Sequence, residues 1–450
     1  MLSCNRPSLD PNELLQALSD NAPGPGSGNT MEQAIANRIP AQRVQLTHRG
    51  IAALEIALAQ LSLQPGDEVV VSSMTYPGVA DAILRCGGIP VLVDTQPHHF
   101  LSGASELRTG LTSQTRAIIA THLFGVPCDM PAIAELAQAR RCYLIEDCAQ
   151  ALGTTIGGRP SGAYGDCSLL SFGFEKHLSI GRGGALLTRS TDLHRTLPPE
   201  MLPPPPPTEE RAILLGLWLA WYGSSRSRHR HSIPDPLVSG QWLRHHANHW
   251  RNPVQNPEIL CQRLWKDIEF ALARERFRQW WKTRIMRPVR QRLGLPEPFT
   301  STTLCPFQGM GPMRSQFALA QWQRLADQNE RRQEQVRALR DALSGRPELH
   351  LPTPPRNGTG YELMQIGFLR EPGRRNTLIQ QAAQHGYEIG RLPWRLPLHL
   401  YPRLKDTVRK ATPSLPHCEQ AAAAMICLPT HEEVTPHDHQ QFRELIQRWA

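Results

Sequence analysis

A lysine and an aspartate stand where apolar strands are expected to end. Lys176 lies between the strand-like run "CSLLS" and a glycine-rich turn, in the stretch "SFGFEKHLSIGRGG", and Asp147 follows the run "CYLIE". In α/β proteins, ligands gather at the carboxyl ends of strands. A lysine there can hold an anion, form an ion pair or attack a carbonyl as an amine nucleophile. An aspartate there can also be an ordinary cap of a turn or helix.

Lys176 and Asp147 together match the needs of one cofactor, because a helix that starts at Gly50 precedes them in the chain. In pyridoxal phosphate enzymes a lysine condenses with the cofactor aldehyde, and a carboxylate keeps the ring nitrogen protonated so that the ring accepts electrons. That carboxylate–pyridinium hydrogen bond is charge-assisted and therefore strong. The pair predicts a pyridoxal phosphate site.

The segments that would position these residues alternate between strand-like and helix-like patterns from about Arg49 to Thr188. Apolar strands that alternate with helices predict a largely parallel sheet covered by helices. The predicted strands are Asp67–Ser72, Pro90–Asp94, Thr115–Thr121, Cys142–Glu146 and Cys167–Ser171, and the predicted helices are Gly50–Leu61, Val79–Cys86 and Asp129–Arg140.

The pattern changes after residue 190. A proline run at 203–207 cannot join a sheet, and helix-like stretches follow at Trp265–Arg284 and Met313–Leu343. We therefore predict an α/β protein in three parts. These are a large cofactor-binding α/β domain at 1–194, a proline-rich and helical insertion at 195–300, and a long connecting helix with a smaller C-terminal α/β domain at 301–450.

The composition is that of a soluble globular protein, with 40% hydrophobic residues among 450. The ten cysteines are scattered and include no C-x-x-C pair, so we expect neither a disulfide framework nor a metal site. Such cysteine use fits a reducing cytoplasm. The N-terminus shows no basic region followed by an apolar run, so we expect no signal peptide.

The net charge of +9 has two interpretations, a solvated basic surface or attraction to anions. No zinc-finger spacing or ribonucleoprotein motif is present, so nucleic acid is not an expected partner. We interpret the histidines of "RHHANHW" (His245, His246 and His249) as part of a solvated basic face.

The apolar stretch Ala212–Tyr222 is followed by arginines in the region 211–230. It is too short to span a bilayer, which takes about 20 apolar residues. Two interpretations stay open. The stretch forms a helix buried on the protein or at a subunit interface, or it makes a weak peripheral contact with an anionic membrane.

Six consecutive motifs between Arg49 and Thr188 resemble the DegT/StrS family of sugar aminotransferases, which are pyridoxal phosphate enzymes of fold type I. In order, they read "GIAALEIAL", "GDEVVVSSMTY", "GGIPVLVD", "THLFGVPCDM", "IEDCAQALG" and "SFGFEKHLSIGRGGALLT". The later stretches "PLHLYP" and "CLPTHEEVT" resemble the closing segments of that family. The resemblance implies an aminotransferase that moves an amino group from a donor such as glutamate to a nucleotide-linked keto-sugar, as in polysaccharide biosynthesis.

The resemblance also implies roles for individual residues at the cofactor ring. Lys176 would bind the cofactor covalently and move protons between cofactor and substrate carbons. Asp147 would pair with the pyridine nitrogen, Tyr76 would stack on the ring, and Gln150 would touch the ring or its hydroxyl. Tyr76 could instead be ordinary core, and Gln150 a helix cap.

At the cofactor phosphate the resemblance implies contacts with Ser171 and with Gly50 and the N–H groups of Ile51 and Ala52, since a helix N-terminus binds anions. Members of the family are homodimers in which an asparagine before the long helix reaches the phosphate in the partner subunit. Gln308 is the only side-chain amide in the matching stretch, and it could replace that asparagine or be an ordinary loop residue.

The sequence departs from the family pattern in three places. Ile51 replaces a threonine or serine, Arg182 replaces the acid of a "GEGG" turn, and "FQG" stands where an Asn-x-Arg pair is usual. These changes leave open a cofactor-binding regulatory or structural homologue without turnover. A second alternative, a sugar dehydratase, is disfavoured because those relatives carry histidine in place of Lys176. His399, in "PLHLYP", lies near the segment that closes the family's substrate pocket, and a purely structural role fits it equally.

Overall fold

In the computed structural model of the chain, residues 30–190 and 309–450 are described, apart from 354, 356, 432 and 433. Ten isolated positions before residue 30 and between 191 and 308 complete the description: 10, 13, 14, 17, 204, 205, 210, 213, 214 and 217. Apart from these isolated positions, the helical insertion predicted at 195–300 lies outside the described residues, and so does the stretch that holds Gln308. The same applies to the apolar stretch, the arginines and the histidines discussed above.

In the described part of the chain, fourteen strands build three sheets. In chain order the strands are Arg43–Thr47 (β1), Glu68–Ser72 (β2), Ile89–Val93 (β3), Thr115–Thr121 (β4), Tyr143–Asp147 (β5), Thr155–Ile156 (β6), Arg159–Pro160 (β7), Cys167–Ser171 (β8), Gly184–Thr188 (β9), Leu349–His350 (β10), Gly358–Thr359 (β11), Met364–Leu369 (β12), Arg409–Lys410 (β13) and Met425–Pro429 (β14).

Nine helices of six or more residues accompany them in the described part of the chain. They are Met31–Arg38 (α1), Gly50–Gln60 (α2), Pro77–Arg85 (α3), Ala104–Thr109 (α4), Met130–Arg140 (α5), Pro312–Leu343 (α6), Arg375–Gln384 (α7), Pro416–Ala424 (α8) and Pro436–Trp449 (α9).

The main sheet has eight strands in the order β1-β9-β8-β5-β4-β2-β3-β13. From β8 through β13 all neighbours run parallel, whereas β8–β9 and β9–β1 are antiparallel. The parallel strands are buried along nearly their whole length, which explains their continuous apolar sequences. The expected mostly parallel sheet flanked by helices is confirmed, and element boundaries differ from the predictions by one or two residues.

Chain order reverses beside β2, because β3 lies on one side of it and β4 on the other. A reversal of this kind opens a crevice at the carboxyl ends of the strands, where ligands bind in open α/β sheets. The fold thus provides a place for chemistry at the ends of β2, β4, β5 and β8.

Residues from 312 onward extend and brace this sheet. The 32-residue helix α6 leads into the antiparallel sheet β10-β12-β14, and β13 adds a parallel edge strand beside β3. The third sheet pairs β11 with β6 and β7 of the N-terminal half. The boundaries at 194 and 300 stay a prediction.

The described cysteines are all free thiols: Cys86, Cys128, Cys142, Cys148, Cys167, Cys418 and Cys427. Among the described helices, none combines the length and the apolar character that a membrane crossing requires.

Candidate active site

The carboxyl ends of β2, β4, β5 and β8 surround a cavity of about 310 Å³. Each strand end brings at least one polar side chain to it. The polar and charged lining residues are Arg49, Thr75, Tyr76, Thr121, His122, Asp147, Gln150, Ser171, Lys176 and Arg182. The structure therefore collects Lys176 and Asp147, predicted from separate motifs, in one cavity.

Asp147 is the last residue of β5 rather than the first residue after it, and Lys176 follows β8 by five residues. Burial lowers the pKa of the Lys176 amine, against the opposing charges of Asp147 and Glu175. Burial raises the pKa of Asp147, while the Ala149 N–H, Lys176 and His122 oppose that shift. Burial therefore makes the neutral amine of Lys176 more accessible, which suits an amine nucleophile, whereas the Ala149 N–H and the nearby positive charge favour the ionised form of Asp147.

The Asp147 carboxylate keeps one oxygen available. Its Oδ1 accepts a hydrogen bond of 3.0 Å from the Ala149 N–H. Its Oδ2 has no partner among the described residues. A protonated ring nitrogen in the cavity is a donor that this oxygen could accept from.

A buried hydrogen-bonded cluster lies behind Asp147. The Glu146 carboxylate accepts hydrogen bonds from the backbone N–H groups of Gly162 (2.7 Å), Tyr164 (2.9 Å) and Gly165 (3.2 Å). His122 Nε2 lies 2.9 Å from the same carboxylate, and His122 Nδ1 accepts the Cys128 N–H at 2.9 Å. Since Nδ1 accepts, the ring proton is on Nε2, which donates to Glu146.

These hydrogen bonds hold the pKa of Glu146 below its usual 4.5, although burial opposes that shift. Together with Cys148, His122 and Glu146 form a cluster whose ligand-type atoms lie within 4.8 Å of one another. The hydrogen bonds within the chain already account for the arrangement of the imidazole and the carboxylate. The cluster therefore fixes the strand ends beside the cavity.

The N-terminus of α2 and the end of β8 form the opposite end of the cavity. A Cβ at Gly50 would lie 2.8 Å from Ser171 Cβ, and a Cβ at Gly184 would lie 2.7 Å from the Gly50 backbone nitrogen. Only glycine fits this close approach. It leaves a niche at the helix N-terminus, lined by Gly50, Ile51 and Ser171, in which N–H groups can bind an anion. Ala52 is buried in the same helical turn.

Two hydroxyl groups in the cavity wall have no partner among the described residues. Thr75 is fully buried and Thr121 nearly so, yet Thr75 Oγ1 and Thr121 Oγ1 make no hydrogen bond. An unpaired buried hydroxyl is unfavourable. Their presence in the lining indicates that the cavity is built for a polar molecule.

Tyr76 and Gln150 also reach the cavity. Tyr76 precedes α3 and is 58% exposed, so it is not a core residue. Gln150 Oε1 accepts the Phe124 N–H at 2.8 Å, and no helix follows for it to cap, which contradicts the helix-cap alternative. An aromatic ring open on one face at a cavity mouth can stack on a planar ligand.

The donor set fits pyridoxal phosphate. A half-buried lysine, a carboxylate with one available oxygen, an open aromatic ring and a glycine-bounded anion niche line one cavity. Sequence patterns did not indicate Arg49, Thr75, Thr121 or His122 as lining residues. Arg49 directly precedes a predicted helix, Thr121 ends a predicted strand, and His122 directly follows that strand. Thr75 lies in the loop between a predicted strand and a predicted helix, so position near an element end was the available signal.

Comparison with known proteins agrees with this geometry. The model of the DegT/DnrJ/EryC1/StrS aminotransferase family matches residues 15–198 and 308–447, which is more than half of the chain. The two matched ranges flank the region that was predicted as an insertion.

Two curated relatives match about a third of the chain in sequence. GDP-perosamine synthase of Caulobacter vibrioides is 40% identical over 162 residues, covering 36% of this chain and 44% of that protein. UDP-N-acetyl-3-dehydro-alpha-D-glucosamine 3-aminotransferase of Acidithiobacillus ferrooxidans is 41% identical over 149 residues, covering 33% and 40%. The matches thus span less than half of the relatives' length.

A solved structure matches the whole fold. A Streptococcus pneumoniae protein described as a sugar aminotransferase in its PLP form superposes with a TM-score of 0.67 at 18% identity, covering 99% of this chain and 97% of that one. At this identity the likeness concerns the fold, and the expected fold type I is confirmed.

Proposed function

Since the chain belongs to the DegT/DnrJ/EryC1/StrS aminotransferase family, we propose that it is a pyridoxal phosphate-dependent aminotransferase. Its substrates would be an amino acid donor such as glutamate and a keto-sugar carried by a nucleotide. The sugar class rests on the names of the relatives, which act on GDP- and UDP-linked sugars. The observation that carries the proposal is that Lys176 and Asp147 line the same cavity.

Pyridoxal phosphate, when bound, supplies an aldehyde and a ring that accepts electrons. Lys176 would provide the amine that holds the cofactor through its aldehyde, and the same amine would move protons between carbon atoms of cofactor and substrate. Its lowered pKa increases the fraction of unprotonated amine available for both tasks. The Asp147 carboxylate, through Oδ2, would accept a hydrogen bond from the ring N–H and so keep that nitrogen protonated.

The remaining residues bind and orient. Ser171 and the first N–H groups of α2, at Gly50 and Ile51, would hold the phosphate. The Ala52 N–H, which the resemblance assigned to the same role, donates to the Arg49 carbonyl at 3.1 Å. Tyr76, exposed at the cavity mouth, would stack on the ring, and Gln150, whose amide oxygen accepts the Phe124 N–H, would contact the ring or its hydroxyl. Arg49 and Arg182 are exposed residues of the lining, and they add positive charge where anionic groups would enter.

The two alternatives make different demands on these residues. A dehydratase of this family would carry histidine in place of Lys176. His177 cannot substitute for it, because its Nε2 lies 2.7 Å from the Tyr361 carbonyl and burial lowers its pKa to about 3. Against a homologue without turnover stands the retention of both Lys176 and Asp147, which turnover requires together.

We also propose a homodimer in the cytoplasm, with Gln308 acting on the cofactor phosphate of the partner subunit. Because Gln308 lies outside the described residues, complementation is the test. Refolded mixtures of Lys176→Ala and Gln308→Ala chains should regain activity if each mixed dimer contains one intact site.

The central test is chemical labelling. Pyridoxal phosphate added to the full chain should give a visible absorbance band, and borohydride should fix the pyridoxyl group on Lys176 in peptide maps. A label on another lysine, or no label after reconstitution, would refute the proposal.

Turnover is tested separately. The protein, glutamate and a panel of nucleotide keto-sugars should release 2-oxoglutarate with at least one member of the panel. The Asp147→Asn variant should bind the cofactor and lose most of this rate, since an amide cannot keep the ring nitrogen protonated. Labelling at Lys176 without any turnover would instead support the homologue without activity.

A further inference from the structure

A hydrogen-bond chain joins the C-terminal part to the loop that carries Thr75 and Tyr76. Ser73 follows β2, and its Oγ lies 2.7 Å from His399 Nδ1. His399 Nε2 lies 3.1 Å from Glu419 Oε1 on α8. Ser73 and His399 are 326 residues apart in sequence, so the chain ties two distant segments together.

The directions of these hydrogen bonds follow from the groups involved. A carboxylate can only accept, so His399 Nε2–H donates to Glu419. In the neutral imidazole Nδ1 then accepts the Ser73 hydroxyl proton, while Ser73 Oγ accepts the His399 backbone N–H at 3.3 Å. Every polar atom of the serine and of the imidazole is used, and the imidazole orientation is fixed from both sides.

Backbone contacts place the same loop. Ser73 N–H donates to the Val93 carbonyl at 2.9 Å, and the Leu398 N–H donates to the Ser73 carbonyl at 2.8 Å. Ser73 is completely buried, and the His399 side chain is only 4% exposed, so neither is available to a substrate. Because of this burial, Ser73 cannot act as a nucleophile, and the two residues instead support the loop.

What they support is the cavity wall. Thr75, with its unpaired hydroxyl, and Tyr76, with its exposed ring, come two and three residues after Ser73 and line the cavity. The segment 394–404 around His399 is itself anchored, because Trp394 stacks on Phe124 with ring centroids 5.9 Å apart and Arg403 pairs with Asp81. The serine–histidine pair is the side-chain link between this anchored segment and the loop.

We propose that His399 is a positioning residue for the cofactor pocket, acting through Ser73 to hold Thr75 and Tyr76 against the bound cofactor, with Glu419 orienting the imidazole. This inference rests on the proposed function, since the pocket is taken to bind pyridoxal phosphate. On this proposal, His399 has a structural contact, with Ser73, and that contact affects the pocket.

Two amide substitutions test the hydrogen bonds of Nδ1 and Nε2 separately. In His399→Asn the amide lies near the position of Nδ1 and can keep the Ser73 contact, whereas in His399→Gln it lies near Nε2 and can keep only the Glu419 contact. Ser73→Ala removes the shared hydroxyl with little change of volume. The control is His385→Gln, an exposed histidine at the end of α7.

The measurement is titration of the full-length apoprotein with pyridoxal phosphate, followed by absorbance and by circular dichroism of the cofactor band. His399→Gln and Ser73→Ala should raise the dissociation constant about fivefold, the effect of losing one hydrogen bond, and weaken the dichroism. His399→Asn and His385→Gln should stay near the wild type.

Thermal unfolding of the same apoproteins distinguishes positioning from general stability. A merely structural histidine would lower the melting temperature in the Asn and Gln variants alike and leave their dissociation constants equal, which would overturn the inference. Equal dissociation constants in all variants would also overturn the inference. If Lys176 of the wild type is labelled normally in that case, the proposed function still stands. Failure of the wild type to bind the cofactor would refute both.

Discussion

At the scale of single residues, the main feature is a lysine and a carboxylate that shift each other's ionisation. Burial lowers the pKa of Lys176 from its usual 10.5, and the negative charge of Asp147 is the largest opposing influence. Burial and the charge of Asp147 thus act on the pKa of the amine in opposite directions. The direction in which the pKa of Lys176 changes when the carboxylate is removed can therefore be predicted.

Asp147→Asn should lower the pKa of Lys176 further in the apoprotein, because burial then acts without its main opponent. Only the unprotonated amine reacts with cyanate, so Lys176 should be carbamylated faster at pH 8, about tenfold for each unit of pKa. Peptide mapping by mass spectrometry gives the rate at this lysine alone.

Glu175→Gln is the matched control for that experiment. Its carboxylate also raises the pKa of Lys176, but Glu175 is exposed and its charge is screened by water. The acceleration should be smaller than in Asp147→Asn. An unchanged rate in Asp147→Asn would show that the carboxylate does not act on the amine.

At the scale of elements, the N-terminus of α2 depends on two glycines in contact. Gly50→Ala would bring a methyl group to 2.8 Å from Ser171 Cβ, so helix and strand must separate. We expect a loss of about 1–3 kcal/mol in the free energy of unfolding. We also expect at least tenfold weaker binding of pyridoxal phosphate.

Pyridoxal, which lacks the phosphate, should lose less affinity in this variant, because the disturbed niche serves the anion. Gly373→Ala is the control, since no atom lies within 4 Å of a Cβ at that position. Equal losses for both ligands would place the phosphate elsewhere.

The sequence predicted helices and strands better than it predicted which distant residues contact each other. Apolar periodicity located the strands that end at Ser72, Thr121 and Ser171, because burial on both faces leaves a continuous apolar run. The pairing of Ser73 with His399 left no such trace, since a hydrogen bond between residues 326 positions apart imposes no local pattern.

Buried polar residues of α6 were missed for the same reason. Arg314, Gln321 and Asn329 look like a solvated face in the sequence, yet all three are buried. That Lys176 and Asp147 line one cavity could be anticipated because the chemistry they would serve restricts residue type, and their catalytic roles stay a prediction. Thr75 and Thr121 are common residues that stand out only through their unpaired hydroxyls.

At the scale of the whole molecule, α6 fixes the loops that carry the site. Gln321 accepts the Ser179 N–H at 3.0 Å and donates to the Ser179 carbonyl at 2.8 Å. Asn329 donates to the Leu152 carbonyl, and Arg314 donates to the Arg182 carbonyl. One helix thereby braces the loops after β5 and after β8.

Gln321→Leu should leave two buried backbone groups at Ser179 unpaired and cost about 2–4 kcal/mol in the free energy of unfolding. Urea denaturation measures this loss, and hydrogen exchange should show faster opening of residues 177–183. Gln323→Leu, an exposed position on the same helix, should change neither quantity by much. Unchanged exchange in Gln321→Leu would show that the loop is held by other contacts.

The edge strand β13 has a consequence for synthesis of the protein. It covers β3, yet its residues 409–410 leave the ribosome more than 300 residues after those of β3. At about 5–20 residues per second, β3 stays an uncovered apolar edge for roughly 15–60 s. During that interval nascent chains on neighbouring ribosomes can pair through β3, since open edges template aggregation. Yield in the cell should therefore depend on chaperones that bind early nascent chains.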